Sequence, residues 1–251
     1  DIGNDDVPIL PQTEPISRAY AVVCESTYGH RVHEPMEERE TKLREALERT
    51  ISNKGVLLIP AFSIERTQEL LYALDRILEQ ELHTNIPIFL DSPMAIKATQ
   101  LYRDFKQYLR FDTPIGHSVD KDFFSFKNLR ETLSVDASKS INDAPSPKVI
   151  IAGSGMMSGG RIMHHLMRHL PEATTTLLII GYQAQGTIGR RIYEGAKEVK
   201  IFGKKIVVKA QVAAIGAFSA HGDMHKLTRW LMPEDGNIPK FIFLTHGDED
   251  A

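Results

Sequence analysis

The chain has 251 residues, enough for one large domain or two of ordinary size, with 42% hydrophobic and 25% charged residues. No apolar run approaches the ~18 residues of a membrane span, and no basic, apolar leader opens the chain, so neither a membrane protein nor a secreted one is expected. A net charge of −3 argues against binding by bulk positive charge, and the single cysteine, Cys24, excludes an internal disulfide and suits the cytoplasm.

Short apolar runs alternate with amphipathic stretches. Residues 20–24, 56–60, 86–90, 149–152 and 177–181 read as buried strands bounded by polar, Gly or Pro residues. Between the first two, Leu43, Ala46, Leu47, Thr50 and Ile51 recur at helical spacing, with Gly55 past the end and Glu40/Arg44 and Glu45/Arg49 one turn apart. After the second strand, Leu70, Leu71, Leu74, Ile77, Leu78 and Leu82 repeat that spacing, with Ser63 as the expected N-cap. Strand–helix–strand repetition predicts a parallel α/β sheet.

Residues 112–147 are less regular. They hold Phe123, Phe124 and Phe126, read as a small packing surface rather than a base-stacking platform, and end in a linker-like Asn/Asp/Pro/Ser stretch at 142–147. Farther on, 199–202 and 205–208 are predicted to form a hairpin at Gly203-Lys204. The run 212–218, a helix around 225–231 and a last strand at 241–245 complete the chain. The expected division is a first segment 1–30, an α/β module 31–194 and a return segment 195–251, the two ends together forming a second module.

Candidate chemistry gathers at strand ends. His221, in Phe218-Ser219-Ala220-His221-Gly222-Asp223, follows an apolar run and precedes Gly-Asp; His246, in Leu244-Thr245-His246-Gly247-Asp248, repeats the layout. One such histidine is more simply read as satisfied by local hydrogen bonds; two tilt the reading toward a site. Glu25 ends a strand, where a carboxylate can orient an imidazole through its ring N–H, or simply face water. The turns Gly153-Ser154-Gly155-Met156-Met157-Ser158-Gly159-Gly160-Arg161 and Asp91-Ser92-Pro93-Met94 have strand–turn–helix geometry that presents amides to anions, although glycine turns are also plain connectors. His164, His165 and His169 lack the intervening acid of a zinc-protease helix and read as packed, solvent-facing or phosphate-touching. His30 and His33 fall on a loop and are structural or substrate-facing.

Taken in order, Glu25-Ser26-Thr27-Tyr28-Gly29, Pro60-Ala61-Phe62-Ser63-Ile64-Glu65-Arg66, Ser92-Pro93-Met94-Ala95, Ser154-Gly155-Met156-Met157, Gly181-Tyr182-Gln183-Ala184-Gln185-Gly186-Thr187, Phe218-Ser219-Ala220-His221 and His246-Gly247 resemble the β-CASP branch of the metallo-β-lactamase fold. That branch includes the nuclease subunit of the pre-mRNA cleavage complex and bacterial and archaeal RNA-processing nucleases. The resemblance implies an α/β fold: a parallel-sheet β-CASP cap over 31–194, and an incomplete metallo-β-lactamase αββα domain formed by the two chain ends. It implies a two-zinc hydrolase acting on RNA, single-stranded in the expected case, with a homodimer left open. Asp1 resembles the metal-bridging aspartate and His246 the last metal ligand. Glu25 and His221 resemble the pair in which histidine protonates the leaving oxygen. Ser92, Ser154, Gly155 and Arg161 are then candidates for substrate contact.

One departure stands out. The family's His-x-His-x-Asp-His segment does not occur in this sequence. The expectation is therefore a truncated, inactive portion of a zinc nuclease that by itself binds no zinc. The alternatives are an inactive RNA-binding scaffold, which intact Glu25, His221 and His246 argue against, and a DNA-directed nuclease. Relatives of the latter kind tend to lack a histidine where this chain has His246.

Overall fold

Buried apolar runs become strands because each packs a layer of helices on both faces. The computed structural model describes residues 1–251 except 6, 17, 83, 110–123, 125, 234, 235 and 249–251. The chain runs β1 (Ala21–Glu25), α1 (Met36–Ser52), β2 (Val56–Pro60), α2 (Arg66–Arg76, extended by a wider turn through Leu82), β3 (Ile88–Asp91), α3 (Pro93–Asp104) and β4 (Leu129–Glu131). It continues through α4 (Val135–Ser140), β5 (Lys148–Ala152), α5 (Ile162–His169), β6 (Thr176–Ile179), α6 (Ile188–Tyr193), β7 (Glu198–Ile201), β8 (Lys204–Val207), β9 (Gln211–Ala214), α7 (Met224–Leu231) and β10 (Phe241–Thr245).

The expected parallel α/β sheet is present: six strands in the order β4-β3-β5-β2-β6-β9, every neighbouring pair parallel. Side chains alternate between its faces. Leu57 and Ile59 point into a core with Leu43 and Leu47 of α1 and Leu70 and Leu74 of α2. Val56 and Leu58 point into a second core with Ile162 and Leu166 of α5. Val199 and Ile201 join this second core from the antiparallel hairpin β7–β8, which turns at Gly203 as expected. The sheet also runs past residue 194, since β9 pairs with β6 through Thr176↔Gln211 to Ile179↔Ala214.

Several local expectations differ from the structure. Ser63 does not cap α2; the helix starts at Arg66 after Glu65 at φ 65, and the Ser63 carbonyl instead accepts from Gln68 Nε2 at 3.2 Å. Glu40 and Arg44 lie one turn apart on α1 as expected, and Glu40 also pairs with Arg76 of α2 at 2.9 Å. The stretch 142–147 is an ordered turn closing α4, anchored where Lys148 Nζ donates to the carbonyls of Ile141 and Ala144 at 2.7 and 2.8 Å. Phe124 is buried and Phe126 packs against the first core, while Phe123 lies outside the described residues. The short β4, α4 and α6 carry too few apolar residues to be foreseen.

β1 is expected to be buried and is so only at its carboxyl end, where Cys24 and Glu25 are covered while Ala21 and Val23 are exposed. It pairs in parallel with β10 alone, forming a separate two-stranded sheet. Val23 is 71% exposed and Leu244 60%, so apolar side chains face outward on strands whose composition suits an interior.

A buried ionic group ties the large sheet to the segment carrying His221. Arg66 Nη1 donates to Glu69 at 2.6 Å and to the backbone carbonyl of Phe218; Arg39 lies 3.9 Å from Glu69 and 4.8 Å above the Phe218 ring. Burial pushes the Glu69 carboxyl up against the pull of both guanidinium groups, and pushes Arg39 down. Removing Glu69 would leave buried Arg39 without this counter-charge and Arg66 with Glu65 alone of its two carboxylates. Glu69→Leu should therefore cost about 3 to 5 kcal/mol in a denaturant titration, and a loss under about 1 kcal/mol would contradict this role.

Candidate active site

Strand register assembles the site. Pairing of Pro60 with Ala152 and of Asp91 with Ala152 sets the carboxyl ends of β2, β5 and β3 level. The turns that follow, at Phe62–Ser63, Ser92 and Ser154–Gly155, therefore emerge side by side, as they must at the carboxyl edge of a parallel sheet. From the other sheet, Glu25↔Thr245 pairing brings Glu25 next to His246. Ser26 N–H donates to the Thr245 carbonyl at 2.8 Å, and Thr27 Oγ1 donates to the His246 carbonyl at 2.8 Å. A Cβ on Gly247 would lie 2.6 Å from the Ser26 carbonyl oxygen, so this approach requires glycine.

Glu25 and His221 meet directly. His221 Nδ1 lies 2.6 Å from Glu25 Oε2, and Glu25 Oε1 accepts from the Ile2 amide at 2.6 Å. Burial raises the Glu25 carboxyl, but hydrogen bonds from His221 and from the Ile2 and Gly222 amides outweigh it and hold the group below its usual range. An ionised Glu25 fixes the His221 tautomer with Nδ1–H toward the carboxylate, leaving Nε2 for other work. His33, one of the loop histidines, buttresses this arrangement: its Nε2–H donates to the His221 carbonyl at 3.0 Å, and its amide donates to Asp223 at 3.1 Å.

Asp1 and His246 complete the cluster. Asp1 Oδ1 lies 3.4 Å from His246 Nδ1 and 3.7 Å from His221 Nδ1. Asp1, His221 and His246 can offer ligand atoms within 4.8 Å of one another, the one such group among the described residues. A carboxylate with two imidazoles is a donor set that zinc accepts, but two zinc ions need about six or more protein ligands. The three residues are therefore enough for a single ion and too few for two.

Asp1, His221 and His246 line a cleft of about 840 Å³, together with Ser154 and Gly155. An adjoining hollow holds Ser92, Ser154 and Arg161. Ser92 Oγ accepts from the Ala95 amide at 3.3 Å as the N-cap of α3, with Pro93 in the first turn as expected. Arg161 is held by protein: Nη1 donates to Asp91 Oδ1 at 2.8 Å and to the Thr132 carbonyl at 2.6 Å, and Nη2 to the Leu133 carbonyl at 2.8 Å.

Asp91 is the residue that sequence reading passes over. Fully buried, it also accepts from Thr132 Oγ1 at 2.6 Å, Ser138 Oγ at 2.7 Å and His165 Nε2 at 2.7 Å. His165 and His169 are thus packed inward, His169 bonding Glu172 at 2.9 Å. A carboxylate at a strand end before Ser-Pro was the available signal for this hub. Burial raises the Asp91 carboxyl, and its four side-chain partners, His165 first, bring it down to about 2 from 3.8. Its stabilising effect is thus present above pH ~4 and lost as pH falls toward 2. Asp91→Asn should be about 2 kcal/mol less stable at neutral pH. That deficit should shrink in acid, and thermal unfolding that shows a constant gap down to pH ~2 would refute the ionised hub.

Comparisons with known proteins place this arrangement. The Beta-Casp domain family matches residues 67–192, half of the chain. A ribonuclease of Thermus thermophilus is 37% identical over 250 residues, covering 100% of this chain and 56% of its own length. Transcription termination factor FttA of Methanosarcina mazei is 31% identical, covering 96% of this chain and 39% of its own length. An RNase J-like protein of Methanocaldococcus jannaschii is 31% identical, covering 96% and 55%. The chain spans about half the length of such relatives or less. With the family matched over half its residues, the chain belongs to the β-CASP branch of the metallo-β-lactamase superfamily.

Proposed function

We propose that the complete protein is a zinc-dependent RNA-processing nuclease and that this chain carries its cap and part of its hydrolytic centre. The observation that carries the reading is the 2.6 Å contact between His221 Nδ1 and Glu25, set beside Asp1 and His246 in one cleft. The relatives named as a ribonuclease and an RNase J-like protein support RNA as the substrate class.

Cleaving a phosphodiester requires a hydroxide, neutralised charge on the phosphoryl oxygens and a proton for the departing oxygen. Zinc, when bound, supplies the first two. Asp1 and His246 would hold it, with further ligands from residues outside this chain; given zinc, the chain alone is expected to leave RNA intact. Glu25 keeps His221 oriented with Nδ1–H toward the carboxylate, which leaves Nε2 to deliver the proton. Ser92, Ser154 and Gly155 would meet the RNA backbone at the carboxyl edge of the sheet. Arg161, engaged with Asp91, would act mainly by shaping that edge. The lone buried thiol of Cys24 fits a reducing, cytoplasmic setting.

A second reading has its own support. His221 shares the three-residue cluster with Asp1 and His246, which would suit a metal ligand. In the complete enzyme, His221→Ala should lower kcat by roughly 10²- to 10⁴-fold while bound zinc is retained. Zinc loss in step with activity, read by metal analysis of the purified variant, would make His221 a ligand instead. Matched RNA and DNA strands should be cleaved with a clear RNA preference; the reverse preference would overturn the substrate assignment.

A further inference from the structure

Phe62 stands at the start of the turn after β2, 38% exposed and lining the same cleft as His221. Its ring is seated on glycine backbone. A Cβ at Gly155 would lie 2.6 Å from the ring, so that position must be glycine to receive it, while one at Gly181 would lie 3.5 Å away, in ordinary contact. The two glycines are clasped together: Gln183 Nε2 donates to the Gly155 carbonyl at 2.9 Å and to the Gly181 carbonyl at 3.1 Å. Thr67 Oγ1 donates to the Phe62 carbonyl at 2.7 Å and fixes the backbone beneath. A partly exposed aromatic ring is thus bordered by glycine backbone from two turns, with its own carbonyl tied to Thr67 of α2.

Charge in the cleft narrows what that ring meets. The one lysine or arginine among the described lining residues is Arg66, whose guanidinium is taken up by Glu65, Glu69 and the Phe218 carbonyl. Exposed Ile64 and Met94 add further apolar surface. With no free side-chain cation among the described lining residues, backbone amides and a bound metal are left to meet the phosphates, and the faces of the bases can add to the hold.

We propose that Phe62, cradled by Gly155 and Gly181, is the stacking platform for one nucleobase of single-stranded RNA in the cleft. The inference rests on the RNA reading above. Stacking on an aromatic side chain is worth roughly 5- to 150-fold in affinity per base and tolerates any base identity.

The test is a fluorescence titration of the complete protein, with EDTA present to prevent cleavage, using a mixed-sequence oligoribonucleotide and an abasic ribose-phosphate oligomer of equal length. Phe62→Leu keeps the apolar volume and removes the π face; it should weaken RNA binding about 10-fold or more. Phe62→Trp should retain binding, and its added indole emission should be quenched by the RNA and not by the abasic oligomer. Equal affinity of Phe62→Leu and parent, or equal quenching by the abasic oligomer, would overturn the stacking assignment while leaving the RNA reading intact. A folded parent protein that binds no RNA would overturn both.

Discussion

Level strand ends are the constraint on which the site depends. Pro60, Asp91 and Ala152 end three adjacent parallel strands in register, and each is followed at once by a turn that reaches the cleft or its adjoining hollow. A one-residue slip in any of these pairings would exchange the two faces of that strand, moving apolar side chains between cores and misplacing its turn. The same requirement explains why both faces of β2 are apolar: a strand buried on both sides fixes register through packing as well as hydrogen bonds.

Two buried carboxylates illustrate how access separates structure from chemistry. Asp91 and Glu25 each lie at a strand end, and each binds an imidazole at 2.7 or 2.6 Å. The His165 side chain is 4% exposed and Asp91 is shared among four side chains, so that pair is sealed into the cap as a fastening. The His221 side chain is 19% exposed, and its second nitrogen is free of the carboxylate. Similar pairings thus serve different ends, and the difference lies in what stands beyond the ring.

Much of this was legible in the sequence, for identifiable reasons. Residues 56–60 match β2 because five consecutive apolar or Pro residues leave few alternatives; the His-Gly-Asp layout pointed to His221 and His246, although only His246 directly follows a strand and His221 follows a short 3-10 turn at Gly216–Phe218. The approach of Glu25 to His221, 196 positions away, was anticipated through family resemblance, not periodicity. What could not be read was long-range partner choice. Ser63 had the right chemistry for an N-cap, yet the chain turns through Glu65 before the helix begins. Asp91 looked like part of a phosphate-binding turn, and only the fold shows its oxygens already occupied. Exposure was equally hidden: an apolar strand reads as buried whatever covers it, and among the described residues β1 and β10 pair only with each other.

The β1–β10 pair also bears on how this polypeptide behaves as a material. Phe241-Ile242-Phe243-Leu244-Thr245 is an uncharged, proline-free run of strong strand formers, with all five residues exposed. Flanked by open hydrogen-bonding edges, such a run can recruit identical strands from other copies. Self-association of the chain in isolation is therefore expected to begin at this exposed run. Concentration and ionic strength will decide whether it stays dispersed, and a charged residue placed on the outward face of β10 would be the most direct means of keeping it in solution.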